Sequence, residues 1–99
     1  MVFEMAQIEI KSGMESSFES GVTKALPLFR RARGCRGVQL LKSVEQPSNY
    51  TLKVTWETLE NHTVDFRQSA DFQEWRKLVG EFFARPPQVG HTQVAVAGF

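Results

Sequence analysis

The residues of this 99-residue chain best suited to chemistry are two histidines, two tryptophans, one tyrosine and one cysteine. His62 stands out. It follows the segment Tyr50-Thr-Leu-Lys-Val-Thr-Trp56, in which Tyr50, Leu52, Val54 and Trp56 alternate and so share one sheet face. Thr58 is placed to cap a helix that starts just after it. Trp56 and His62 are then held close at a strand-to-helix corner, which can line a pocket. Near a helix N-terminus the dipole disfavours the imidazolium, so His62 is expected as a neutral base able to take a phenolic proton. The alternative is a solvated or capping histidine on a short surface helix.

The aromatic residues have two readings. Trp56 and Tyr50 could stack on an aromatic substrate, or serve as core on a central strand. Phe66, Trp75, Phe82 and Phe83 form a helical aromatic set, mostly core, of which one or two could line a cavity. His91 could point into that pocket or a subunit interface, and a histidine paired with a cross-strand partner is the commoner arrangement. Arg67 and Arg76 could steady an anionic oxygen. The favoured expectation for Arg76 is instead a surface salt bridge with Asp71 or Glu74. The lone Cys35 has an arginine neighbour that could activate a thiol, but it opens an apolar strand, where inert cysteine is usual. No carboxylate or cysteine stands at a metal-ligand spacing from either histidine. There is no GxGxxG, P-loop, GxSxG or paired-carboxylate signature. Neither metal nor cofactor is expected.

The elements that must position these residues follow from periodicity. Val2 to Ile10 alternates, with Val2, Glu4, Ala6, Ile8 and Ile10 on one face. Ser12-Gly-Met-Glu15 matches a capping box. The helix after it has Met14, Phe18, Val22, Ala25, Leu26 and Phe29 on one face, and Pro27 is expected to kink or split it. Gly34 is a suitable stop. Strands are expected over 37–44 and 49–57, joined by Glu45-Gln-Pro-Ser-Asn49 as a hairpin. A short helix over 58–67 and a second capped by Ser69, running through Ala84, come next. Residues 89–97 form the last strand.

The order β-α-β-β-α-β, with right-handed crossovers, predicts a ferredoxin-like α+β fold. Four antiparallel strands carry both helices on one face, in a single domain over residues 1–99. Apolar residues point to both sheet faces, and helices cover only one. A second copy is the simplest cover for the other, so a homodimer is expected.

The bulk numbers set limits. A chain this short buries about two thirds of its unfolded surface, so spare stability is small. The hydrophobic fraction of 41% is ordinary, but eight phenylalanines are many for this length. A net charge of +1 argues against nucleic acid as a partner. Arg30, Arg31, Arg33 and Arg36 cluster where a helix should end and suit its dipole. The unpaired cysteine, the lack of a basic-then-apolar N-terminus and the lack of a long apolar run lead to a cytoplasmic, non-membrane expectation.

The chain resembles the antibiotic biosynthesis monooxygenase family of dimeric α/β-barrel proteins. The likeness rests on Lys11-Ser-Gly13 after the first strand, Pro27-Leu28-Phe29 near the helix end, and Gly34-Cys35-Arg36-Gly37 opening strand two. Tyr50, Trp56-Glu57, His62, and Ser69 with Phe72 complete it. The resemblance implies a pocket between sheet and helices. It also implies oxidation of an electron-rich phenolic, quinol or polyketide-like aromatic compound by oxygen, without flavin or metal. An anionic phenol or enol passes an electron to oxygen itself, so the protein supplies a base, an apolar box and oriented hydrogen bonds. His62 would be the base, with Trp56, Tyr50, Phe66, Trp75 and His91 around the substrate. The family's haem-degrading branch uses a strand-one asparagine and a histidine in the last helix; here Ala6 and Gln7, and Trp75 and Arg76, stand near those positions. The related stress-responsive proteins carry a histidine in strand one, which this chain lacks. A non-catalytic homodimer that binds a small apolar ligand or acts in stress response is the alternative. A third reading is a structural interaction domain whose aromatic residues all serve core and interface.

Overall fold

The computed structural model describes all of residues 1–99. Its elements run β1 (Val2–Glu9), α1 (Glu15–Arg30), β2 (Cys35–Lys42), β3 (Asn49–Trp56), a π-helical turn (Asn61–Phe66), α2 (Ala70–Val79), a 3-10 turn (Gly80–Phe82) and β4 (Gln88–Thr92). The strands form one antiparallel sheet in the order β2-β3-β1-β4. This is the ferredoxin-like α+β arrangement, with the helices on one face.

Alternation decides which side chains meet the helices. Tyr50, Leu52, Val54 and Trp56 of β3 are all buried, and their neighbours in sequence are half-exposed. In β1 the buried set is Glu4, Ala6 and Ile8, continued by Ile10. A glutamate therefore lies on the core face of a central strand. α1 contributes Phe18, Val22, Ala25, Leu28 and Phe29, and α2 contributes Trp75 and Val79. Burying a large apolar side chain contributes roughly 1.5–3 kcal/mol, so this single cluster supplies most of the cohesion. The helices approach closely at Gly21, where an added Cβ would stand 2.8 Å from the Leu78 carbonyl oxygen.

Several local expectations are corrected. Pro27 neither splits nor ends α1, which runs on to Arg30. The buried stripe keeps its three- and four-residue steps past it, which puts Leu28 inside and Leu26 outside. The capping box at Ser12 does not form: α1 begins after Met14 with no side-chain cap, and Glu15 accepts a hydrogen bond from Ser48 Oγ at 2.6 Å. α2 stops at Val79 rather than Ala84, because the chain tightens into a 3-10 turn at Gly80. β4 ends at Thr92, and the alternating Val94 and Val96 beyond it are exposed, having no strand of this chain to pair with. Ser69 does cap α2, its Oγ accepting the Phe72 amide at 3.1 Å.

Candidate active site

The strand-to-helix corner is rigid for identifiable reasons. Thr58 and Asn61 cap each other: Asn61 N–H donates to Thr58 Oγ1 and Thr58 N–H to Asn61 Oδ1, each at 3.1 Å. The Asn61 amide also donates to Asp65 at 3.1 Å. Gly34 packs against this amide with φ at 78°, and a side chain there would run into Asn61. Glu57 N–H closes the corner on the Gly34 carbonyl at 2.8 Å. The next residue, His62, is buried and stacked on Trp56, with ring centroids 5.4 Å apart and planes 12° from parallel.

Three titratable side chains meet here from three elements. In the sheet register Glu4 of β1 lies opposite His91 of β4 on one side and Val54 of β3 on the other. Trp56 Nε1–H donates to Glu4 Oε1 at 3.1 Å. His62 Nε2 lies 3.2 Å from the same oxygen, and His62 Nδ1 lies 2.8 Å from His91 Nε2. The groups form a chain rather than converging on a point, and no group of three or more His, Cys, Asp or Glu is arranged to hold a metal.

Burial pushes the two central groups apart in proton affinity. Loss of hydration raises the Glu4 carboxyl to about 7, against the lowering effects of the Trp56 hydrogen bond and the Arg67 charge. The same loss lowers His62 to about 4, helped by the charges of Arg67 and His91. His91 is also lowered, by burial and then Arg67. His62 is therefore a neutral imidazole at neutral pH. The main cause is burial rather than the helix dipole.

Glu4 and His62 close one end of a cavity of about 560 Å³. Ala6, Ile8 and Leu52 supply its sheet wall, and Phe72, Trp75 and Phe83 face them from the helical side. Pro86, Pro87 and Val89 form the wall leading into β4. Arg67, Arg76 and Arg85 stand around the rim. Arg85 is paired with Glu9 at 2.8 Å. Arg67 and Arg76 make no salt bridge. The expected pairing of Arg76 with Asp71 is not made, because Asp71 is held by Arg31 from α1 through two bonds of 2.7 and 2.8 Å. Arg76 instead lies over the Phe72 ring at 5.9 Å.

Of the residues singled out from sequence, His62, Arg67, Trp75, Arg76 and Phe83 line this cavity. Trp56 does not; it lies beneath His62 and holds Glu4. Tyr50 is core, its hydroxyl donating to Glu19 at 2.6 Å. Phe66 packs among Phe29, Trp56 and Phe72. His91 is outside the cavity lining, and its hydrogen-bond partner is the helical His62 rather than a strand residue. Cys35 is half-buried, and burial raises its thiol in spite of Arg36 beside it. Glu4 was passed over in the sequence because a lone glutamate on a strand ordinarily faces water. The available signal was its parity with Ala6, Ile8 and Ile10.

The fold defines a small ferredoxin-like domain with an aromatic-lined cavity between sheet and helices. The chain matches the model of the antibiotic biosynthesis monooxygenase family over residues 1–78, and it belongs to that family. It is 62% identical to a crystallised Bordetella bronchiseptica protein described as a candidate antibiotic biosynthesis monooxygenase. The TM-score is 0.94, with 96% of this chain and 97% of that one covered. The uncharacterized protein YczJ of Bacillus subtilis (strain 168) is 41% identical over 93 residues, covering 94% of this chain and 98% of YczJ. SnoaB of Streptomyces nogalater, a cofactor-independent oxygenase, shares the fold with a TM-score of 0.83 at 14% identity, covering 97% of this chain and 94% of SnoaB.

Proposed function

We propose that this protein is a cofactor-independent monooxygenase acting on a phenolic, quinol or polyketide-like aromatic compound. The observation that carries the reading is an apolar cavity of about 560 Å³ ending in a buried carboxyl–imidazole pair. Such a site accepts a flat aromatic body and offers a proton acceptor poised near neutral pH. Removal of an acidic O–H or C–H proton yields an anion, which the rim charges of Arg67 and Arg76 favour. The anion transfers an electron to dioxygen, and the radical pair closes to a C–O bond. The peroxide takes up the abstracted proton. Loss of the second C–H proton and cleavage of the O–O bond then give a carbonyl and water. Four electrons leave the carbon and four reach dioxygen, so no external reductant is needed. SnoaB, described as a cofactor-independent oxygenase, supports this reading through its shared fold.

The same reading includes a homodimer. The sheet face opposite the helices carries Phe3, Met5 and Leu41, and the tail beyond β4 carries exposed Val94 and Val96. Both are surfaces that a second copy would cover. No helix is long and apolar enough to cross a membrane, which agrees with a cytoplasmic setting for the enzyme.

Oxygen uptake with a panel of quinols and anthrones, comparing wild type with His62→Ala, tests the activity. Protein-dependent uptake that the substitution reduces is expected. Saturable binding of these compounds without uptake would make the protein a ligand carrier instead. Elution as a stable monomer at low micromolar concentration would remove the dimer.

A further inference from the structure

The proton acceptor of the cavity can be assigned atom by atom. A neutral imidazole has one N–H and one lone pair. His62 Nδ1 is engaged by His91 at 2.8 Å, and its Nε2 lies 3.2 Å from Glu4 Oε1, so the carboxylate stands against the only ring nitrogen left to a ligand. Glu4 differs. Its Oε1 receives Trp56 Nε1–H and faces His62 Nε2, while Oε2 takes part in neither contact. No buried side-chain nitrogen or oxygen of the protein lacks a hydrogen-bond partner. Oε2 is therefore accessible, and the space Glu4 lines is the cavity.

From this geometry we infer that Glu4 is the catalytic base through Oε2, and that His62 and His91 are positioning residues. On this assignment His91 Nε2–H donates to His62 Nδ1, and His62 carries its proton on Nε2, which faces Glu4 Oε1 at 3.2 Å. Oε1 then faces two N–H groups, one of them the bonded Trp56 Nε1–H, and Oε2 faces neither, so an incoming proton goes to Oε2. The groups that face Glu4 are consistent with a proton held there. Trp56 from β3 is neutral, and His62 and His91 are held neutral by burial. Cys35 from β2 is held as a thiol. Arg67 is the cation acting on the carboxyl, and Arg76 and Arg85 also line the cavity. A base of this kind suits a weak oxygen or carbon acid that ionises within a few pH units of neutrality: a phenol, an anthrone or a 1,3-dicarbonyl compound.

The catalytic part rests on the oxygenase reading, and the location of the proton does not. The deciding experiment is therefore an NMR titration of wild-type protein carrying carboxyl-labelled glutamate and ¹⁵N-histidine. One carboxyl resonance, missing in Glu4→Gln, is expected to titrate near pH 7 while His62 stays a neutral Nε2–H tautomer throughout. Formation of imidazolium at His62 over that range with Glu4 still ionised overturns the assignment, as does an Nδ1–H tautomer of His62. On any panel compound that gives oxygen uptake, Glu4→Gln is expected to lose about 100-fold or more in kcat, the usual contribution of a general base, and Glu4→Asp to recover part of it. His62→Gln and His91→Gln are expected to lose less turnover than Glu4→Gln and to move the midpoint of the pH profile. Loss of uptake in His62→Gln with Glu4→Gln active overturns the proposal. If no compound supports uptake, the oxygenase reading fails, and the titration alone still decides which group holds the proton.

Discussion

Glu4 and His62 face each other across 3.2 Å, and the same burial drives their proton affinities in opposite directions, the acid up to about 7 and the base down to about 4. Between about pH 4.5 and 6.5 each is neutral where its exposed counterpart would be charged. Their effects on stability against pH are opposed. Glu4 binds its proton more tightly folded than unfolded, so its contribution is full below its ordinary value near 4.5 and is lost as pH rises through 7. His62 binds its proton less tightly when folded, so its contribution is lost as pH falls from its ordinary 6.5 through 4. Between about pH 4.5 and 6.5 the two slopes offset. Wild-type stability is expected to be nearly flat there in urea titrations. His62→Gln is expected to expose the Glu4 slope, a loss of about 3 kcal/mol on going from pH 4.5 to 7. Glu4→Gln is expected to reverse the trend and make the protein less stable as pH falls. A sloped wild type with flat variants would contradict this.

Trp56→Phe keeps the ring under His62 and removes the N–H that Glu4 Oε1 accepts. That bond favours the ionised carboxylate. Its loss is expected to move the Glu4 midpoint upward from about 7, read by carboxyl NMR. An unchanged midpoint would mean that the indole N–H contributes only packing.

Arg67 and Arg76 stand on the rim without carboxylate partners, so their charge is available to an anionic ligand. Each is exposed, which limits its worth to about 1 kcal/mol, or roughly fivefold in affinity. Arg76→Ala is expected to weaken binding of a phenolate more than that of its O-methyl ether, and added salt to reduce the difference. Equal losses for both ligands would assign Arg76 a packing role over Phe72.

Gly34→Ala is expected to destabilise by about 3 kcal/mol or more, since a left-handed φ and the Asn61 amide both oppose a side chain there. Asn61→Gly in the same chain removes the obstruction but not the φ. A double-mutant cycle in urea should therefore show that the two changes are not additive. Additivity would indicate that the corner yields without contact between them.

Cys35 is expected to react slowly with a disulfide reagent at neutral pH, because burial keeps its thiol protonated. Reaction as fast as that of a small free thiol would show that Arg36 outweighs the burial.

The fold was legible because its signals are local. Tyr50 to Trp56 alternates, Ser69 caps, and the hairpin has a turn between two apolar runs. The site was only half legible, because its bonds are long-range. His62 meets His91 across 29 residues, and Arg31 reaches Asp71 across 40. Nothing in spacing announces either contact, and the second displaced the local pairing expected for Arg76. Ser12 shows the opposite failure: a motif with the right letters does not cap, because Gly13 turns the chain at φ 87° and α1 begins later. The last strand ran short for a related reason. Alternation at Val94 and Val96 marks side chains fit for pairing, but strand formation needs a neighbour to pair with.

β4 is only five residues long, and it is hydrogen-bonded to β1 alone. It carries His91, and Val89 from the cavity wall. An edge strand this short opens at a small fraction of the cost of global unfolding. Opening would part the wall and release His62 Nδ1 in the same event. Amide hydrogen exchange along β4 is therefore expected to slow when a ligand fills the cavity.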